Sequence, residues 1–460
     1  MKNIDSEYDY IIVGAGSAGC VLANRLSKNP KNRILLLEAG REDKSITLKM
    51  PAAVLLNLKS TKHNWAFKGE PEPELAGRQL QHDRGKTLGG SSSINGMVFI
   101  RGNSLDYEGW RQMGCEGWGY ADVLPYFKKM ESYSGGGDDF RGDSGPLKVH
   151  RSIPKDPLSI AFIKAGKEAG YQETDDISGY CQEGFGIFDR TVFKGERWST
   201  TRGYLDPVRN RENLTIVTNA LVCKLLIENN RTTGVCFKNN KEKQFNVKSK
   251  KEVILSAGAV GSPHILMLSG IGPKDHLKSM GINTKLDLPG VGQNLQDHPD
   301  FMIKYKCLKP VTLWPKTKKL NSIGAGIQWL LTKEGMCASN HFDAVACVRS
   351  GPGVEYPDLQ LCISPIAMDD NTWQPLNEHA FQVHVGLMRT HSRGKIELRS
   401  GNPADPPRIL VNYLKDKRDR ELMRKGIHLV RELLDQPSFS DLKGEEIFPG
   451  DNCKSDSDID

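Results

Sequence analysis

No two of the ten cysteines stand in a CxxC pair. Cys20, Cys115, Cys181, Cys223, Cys236, Cys307, Cys337, Cys347, Cys362 and Cys453 therefore read as single thiols, and neither a metal site nor a disulfide frame is expected. A basic block is missing too. The 63 Lys and Arg against 56 Asp and Glu leave a net charge of +7 spread along the whole length, which argues against a nucleic-acid partner. Long apolar runs are absent: the first ten residues, MKNIDSEYDY, are polar and charged, and the apolar stretch behind them is too short for a secretory signal or a membrane span. A cytoplasmic protein is expected. At 460 residues the chain has room for a large core, more than one domain and a bulky cofactor.

What is present begins at residue 8. YDYIIVGAGSAGCVLANRLSKNPKNRILLLEAG, residues 8–40, reads as an apolar strand ending at Val13, a glycine turn, a helix carrying Val21, Leu22 and Leu26, and a second strand over residues 33–37. Gly14 permits the tight turn, Gly16 lets backbone approach a pyrophosphate, and Gly19 lets helix and strand pack closely. The helix N-terminus aims free N–H groups at phosphate, and Glu38 closes the second strand where a carboxylate can accept ribose hydroxyls. This is a dinucleotide site, but the fingerprint does not choose between NAD and the ADP half of FAD.

RGKTLGGSSSINGMVFIRGN, residues 84–103, runs from glycines and serines straight into Ile94, Met97, Val98, Phe99 and Ile100, unlike a surface loop. It suggests backbone wrapped around a ligand. Here the sequence resembles the glucose-methanol-choline family of FAD-dependent oxidoreductases, whose first signature is similar to Gly85-Lys86-x-Leu88-Gly89-Gly90-Ser91-Ser92-x-Ile94-Asn95. The family's second signature is similar to GAVGSPHILMLSGIG, residues 258–272, and NWAFKGEPEPEL, GWGYADVLPYFKKME and GVGQNLQDHP add to the likeness. An NAD-dependent dehydrogenase fits the first forty residues and fails on both later signatures.

The resemblance implies noncovalent FAD, because the histidine that some members link to flavin near Asn95 is missing. It assigns Ser17, Ala18 and Glu38, with Ala39, to the ADP half. Ser91, Asn95, Gly96 and Met97, with Gly89 and Val98, fall to the pyrophosphate and isoalloxazine, and the backbone of Val222 to the adenine edge. The implied fold is α/β: a Rossmann-like FAD-binding domain over residues 1–150 and 206–300, with an antiparallel-sheet α+β substrate domain over 151–205 and 301–460. The strand expected over residues 251–260 and a helix starting at Pro263 form a second crossover into the first sheet.

The substrate-domain text, including SNHFDAVACVRS and FQVHVGLMRTHSRGKIELRS, is most similar to the choline-oxidising branch of the family. The implied activity is oxidation of a primary alcohol, choline to betaine aldehyde, by hydride transfer to flavin N5; an aliphatic alcohol is the alternative substrate. A quaternary ammonium wants aromatic faces and a carboxylate. The expected electron acceptor is neither NAD nor oxygen, a respiratory acceptor with peripheral contact at the inner face of the membrane being in keeping. The family's proton-accepting histidine stands in a His-Pro-x-Gly-Thr-Cys-like motif after the point matched by Pro449-Gly450, and none of the eleven histidines occupies it. No catalytic residue is therefore assigned, and the chain is expected to be either a C-terminally truncated member or a non-catalytic FAD-binding or regulatory protein.

Overall fold

A computed structural model describes residues 4–370 and 372–460. Two six-stranded sheets organise it. In the first, the strands run in the order Leu214–Val217, Ile34–Leu37, Glu7–Val13, Gln244–Leu255, Arg231–Asn239, Ala220–Glu228. Its first four strands are parallel and its last three antiparallel. Ile34–Leu37 is ILLL with all four residues buried, as a central parallel strand with both faces covered requires. One face packs Ile12, Ala15, Cys20, Ala23 and Leu36; the other packs Ile11, Val13, Leu35, Leu37, Val235 and Ile265.

The second sheet is antiparallel throughout, in the order Lys443–Phe448, Asp300–Cys307, Ala380–Leu387, Leu359–Ser364, Ala344–Val348, Gly184–Ile187. Its strands alternate. Ile303, Tyr305, Leu361, Val383 and Val385 face the helices Pro157–Glu168 and Lys417–Leu434, which contribute Leu158, Phe162, Ile427, Val430 and Leu433. Both helices start on an aspartate cap: Asp156 accepts from Ser159 N at 2.8 Å and Asp416 from Arg418 N at 3.0 Å. They dock closely because glycine faces the sheet. A Cβ on Gly166 would lie 2.3 Å from the Phe185 ring, and one on Gly426 2.4 Å from Val385. Truncating Phe162 to Ala in this core would cost about 3–5 kcal/mol.

The opposite face of this sheet presents Met302, Lys304, Gln382, His384 and Cys362. It packs, through Val345, Cys347 and Phe342, against Val98 and Ile100. A four-stranded sheet made of Val98–Phe99, Asp189–Arg190, Leu147–Arg151 and Glu131–Tyr133 joins the two halves. A largely buried ion network holds it: Arg141 reaches Glu131 at 2.6 Å, Asp189 at 2.9 Å and the partly exposed Asp176 at 2.6 Å, and Arg101 also pairs with Glu131.

Three elements differ from expectation. The helix after the strand Gln244–Leu255 starts at Gly258, not Pro263, because Gly258 adopts φ +75° and turns the chain directly off the strand. The domain limit expected at residue 150 falls inside the strand Leu147–Arg151. Within the stretch assigned to the substrate domain, Ile396, Ile409 and Val411 pack on Val260 and Met267 of the helix Gly258–Leu268, since this small hairpin buries its apolar face there.

One helix stands largely outside the core. Lys319–Thr332 inserts Trp329, whose indole N–H donates to Gly195 O at 2.7 Å, while Leu320, Ile323, Ile327, Leu330 and Leu331 are each at least half exposed. Their spacing puts these five on one face, opposite Trp329.

Candidate functional site

Gly14 adopts φ +97° at the end of the first strand, and its N–H donates to Leu37 O at 2.8 Å. A Cβ on Gly19 would lie 1.9 Å from Gly14 O, so helix and turn touch there. The helix Ser17–Leu26 starts on Gly16, which has no side chain to cap it, and no acid occupies its first turn. Its free N–H groups and positive dipole end open into a cleft of about 820 Å³. The helix Gly258–Leu268 brings a second N-terminus to the same cleft.

Glu38 is buried, its Oε2 accepting from Ala15 N at 2.9 Å and its Oε1 from Gly40 N at 2.8 Å. Burial lifts its carboxyl to about 7 against the pull of those two donors and of Lys86. Each oxygen keeps a lone pair for a further donor.

The structure brings Gly14, Gly16, Ser17, Ala18, Glu38, Ala39, Ser91 and Val222 together around this one cleft. At Val222 the ladder to the neighbouring strand shifts register, which releases backbone groups from regular pairing. Gly19, Gly89, Asn95, Gly96, Met97 and Val98 do not line it. Gly89 lies behind the turn, donating to Ala15 O at 2.8 Å. Asn95, Gly96 and Met97 form the next turn, in which Met97 adopts φ +60° and donates to Asn95 Oδ1 at 3.1 Å. Val98 then enters the strand that meets Arg190.

Several site residues were not singled out from sequence. Trp65 stacks on Phe67 at 5.4 Å and carries the Lys86 ammonium over its ring at 4.3 Å, and all three line the cleft. Lys86 sits inside the first signature, which was the available signal. Pro403, Pro406 and Pro407 close one side, from a loop with no motif of its own. His264 also lines the cleft, and burial lowers it to about 4, so it is uncharged at neutral pH. Arg197 lies behind the second turn, with Nη1 donating to Asn95 O at 2.7 Å and Asn95 Oδ1 at 2.8 Å.

The face of the antiparallel sheet opposite its two helices carries a polar row. Gln382 Nε2 is 2.9 Å from His384 Nε2, and His384 Nδ1 is 2.7 Å from Asp300 Oδ2. Phe342 meets the His384 ring edge-on at 5.7 Å. Asn340, two residues before Phe342, donates to Gly96 O at 2.7 Å, so row and turn belong to one assembly.

A dinucleotide fits these residues. A Cβ on Gly16 would meet nothing nearer than Gly90 Cα at 4.0 Å, whereas one on Gly90 would lie 2.7 Å from Gly16 Cα; the two backbones close on each other and leave the cleft side open. Two helix N-termini for phosphate, one carboxylate for hydroxyls and two stacked aromatic rings complete the set. Among the described residues no cluster of His, Cys, Asp and Glu could hold a metal ion, and no helix is long and apolar enough to cross a membrane.

The GMC oxidoreductase family models match residues 8–300 and residues 390–459. The oxygen-dependent choline dehydrogenase of Ectopseudomonas mendocina (strain ymp) is 46% identical over 99% of this chain and 81% of its own length. That of Vibrio vulnificus (strain YJ016) is 46% identical over 99% and 82%. The chain thus spans about four fifths of these relatives. Among solved structures, pyridoxine 4-oxidase from Mesorbium loti superposes with a TM-score of 0.88 at 28% identity, covering 98% of this chain and 85% of that one. A formate oxidase variant from Aspergillus oryzae RIB40 superposes at 0.90 with 26% identity, covering 99% and 86%. The fold agrees with these matches, the first family model spans both signatures, and the chain belongs to the GMC oxidoreductase family.

Proposed function

We propose that this chain oxidises a primary alcohol, choline, with FAD held noncovalently in the cleft. The observation that carries the reading is the 46% identity, over nearly the whole chain, to proteins named choline dehydrogenase. Geometry supports the substrate. Asp300 is an exposed carboxylate that pairs with no Lys or Arg among the described residues; its Oδ2 lies 2.7 Å from His384 Nδ1, and Phe342 stands beside that histidine. A quaternary ammonium donates no hydrogen bond and is held by negative charge and aromatic faces. The polar row would hold the cationic end of choline while the Asn95–Met97 turn bears on the cofactor.

Ser17, Ala18 and the helix N-terminus hold the pyrophosphate, Glu38 the ribose, and the Val222 backbone the adenine. Bound FAD supplies the hydride acceptor. The hydroxyl proton needs a base; the family's histidine motif is not among these 460 residues, and His384 is the histidine of the polar row. The test compares residues 1–460 with the same residues continued by the part of the E. mendocina relative that the match leaves uncovered. Both should bind FAD, and only the second should reduce a dye rapidly with choline. Equal turnover by both would put the base within residues 1–460, with His298, His384 and His391 the residues to mutate; no flavin binding by either overturns the reading.

Electrons would pass to a membrane-borne acceptor, although the relatives are named oxygen-dependent. What favours the membrane is the helix Lys319–Thr332: its apolar face is flanked by Lys316, Lys318, Lys319 and Lys333, and residues 313–333 contain no acid. Such a stripe suits the surface of an anionic bilayer. Co-flotation with anionic but not neutral vesicles, abolished by Ile327→Asp, is the expected result, and oxygen uptake against quinone reduction decides the acceptor.

A further inference from the structure

Arg197 is 1% exposed, among the largest fully buried side chains of the molecule. Its Nη1 donates to Asn95 O, Asn95 Oδ1 and, at 3.3 Å, Ser92 O. Nε and Nη2 have no partner. Among the described residues no carboxylate pairs with it. The other two deeply buried guanidinium groups, Arg101 and Arg141, both share Glu131. The adjacent Glu196 is committed elsewhere, to Arg202 at 2.7 Å and Lys333 at 3.4 Å. Burial alone pushes the Arg197 guanidinium down to about 9, with no charge nearby to hold it up.

A buried charge without a counter-charge costs several kcal/mol even when carbonyl groups solvate it. This one holds the Asn95–Met97 turn, a few residues after Ser91, which lines the cleft into which two helix N-termini open. Glu38, an acid of the cleft, favours its neutral form below about pH 7. Asp405 also lines the cleft, bonded to Ser400 and Asn402, and Lys68, Arg84 and Lys86 add positive charge there; neither acid pairs with Arg197.

We propose that Arg197 is a positioning residue with an electrostatic function: it locks the Asn95–Gly96–Met97 turn and holds a positive charge, unpaired by any carboxylate, that an anionic, electron-accepting cofactor balances. The inference rests on the FAD reading above. It predicts that the empty protein carries the cost of Arg197 and that occupancy relieves it. The same charge should raise the reduction potential of the bound flavin, since it favours the more negative reduced form.

The test uses the purified chain stripped of flavin, with FAD as the probe. For Arg197→Met we expect a flavin-free melting temperature no lower than that of the unmutated chain, an FAD affinity reduced about tenfold or more, and a lowered flavin potential. Arg197→Lys keeps the charge but not the fork, and should hold affinity within about threefold and leave the potential near its original value. Should the methionine variant fail to fold, the lysine variant decides: a tenfold loss with the charge intact overturns the proposal. Arg197→Met that destabilises empty and loaded protein equally, with unchanged affinity, overturns it too and makes Arg197 a packing residue. No FAD binding by the unmutated chain would overturn the functional reading along with it.

Discussion

The side-chain amide of Asn340 lies 2.7 Å from the carbonyl oxygen of Gly96. One belongs to the loop before a strand of the antiparallel sheet, the other to the Asn95–Met97 turn that follows the cleft-lining Ser91. Through this bond the antiparallel-sheet half of the molecule holds a backbone carbonyl a few residues after the cleft-lining Ser91.

Removing it should show. Asn340 is buried, so Asn340→Ala leaves Gly96 O without its donor at a cost of about 1–3 kcal/mol. Asn340→Asp, which puts an acceptor where the donor stood, should lose at least as much. Urea denaturation measures the loss, and FAD titration should show weaker binding in both variants.

Two glycines of the fingerprint should respond in opposite ways. Gly19→Ala forces a methyl to within 1.9 Å of Gly14 O and should destabilise the fold by about 1–3 kcal/mol or more. Gly16→Ala meets nothing nearer than 4.0 Å, so stability should hold while the methyl enters the cleft and FAD affinity falls. Thermal melts of the flavin-free protein beside binding titrations separate the two.

Glu38 should make stability depend on pH. The folded carboxyl keeps its proton to about 7, whereas an ordinary one releases it at 4.5. Between these values the folded state binds more protons than the unfolded state, so its contribution falls as pH rises through this window, by roughly 3 kcal/mol in all, and is flat above it. Glu38→Gln should remove that slope from urea midpoints taken between pH 4.5 and 8. Ribose hydroxyls donate to the ionised form, so FAD affinity should rise over the same window.

Arg141 holds three carboxylates, two of them fully buried. Arg141→Met should cost about 3–5 kcal/mol, because Glu131 and Asp189 lose a partner where water cannot replace it. Arg141→Lys should recover little, since one ammonium cannot span the fork. Guanidinium denaturation at fixed pH reads both.

Much of the nucleotide side was legible because its chemistry is local. Gly14, Gly16, Gly19 and Glu38 lie within 25 consecutive residues, and the turn, helix and strand they imply are present. Lys86 was inside a recognised signature yet needed the structure to place it over Trp65. Arg197 and Asn340 could not be read that way: they meet Asn95 and Gly96 across 102 and 244 residues of chain, and neither stands in a pattern that marks a ligand. The helix start at Gly258 was hidden by Pro263, whose usual preference for a first turn pointed five residues too late.

The strand order of the first sheet has a consequence for how the chain is made. Ile34–Leu37 pairs with Glu7–Val13 on one side and with Leu214–Val217 on the other, and Glu7–Val13 finds its second neighbour only in Gln244–Leu255. At a synthesis rate of about 5–20 residues per second, roughly 10–40 s pass between completion of Leu37 and emergence of the last central strand. Throughout that interval the nascent protein carries two adjoining strands, one of them ILLL, with their outer edges unpaired. Slower growth temperature or a holding chaperone during translation should therefore raise the yield of native protein more than any adjustment made after release.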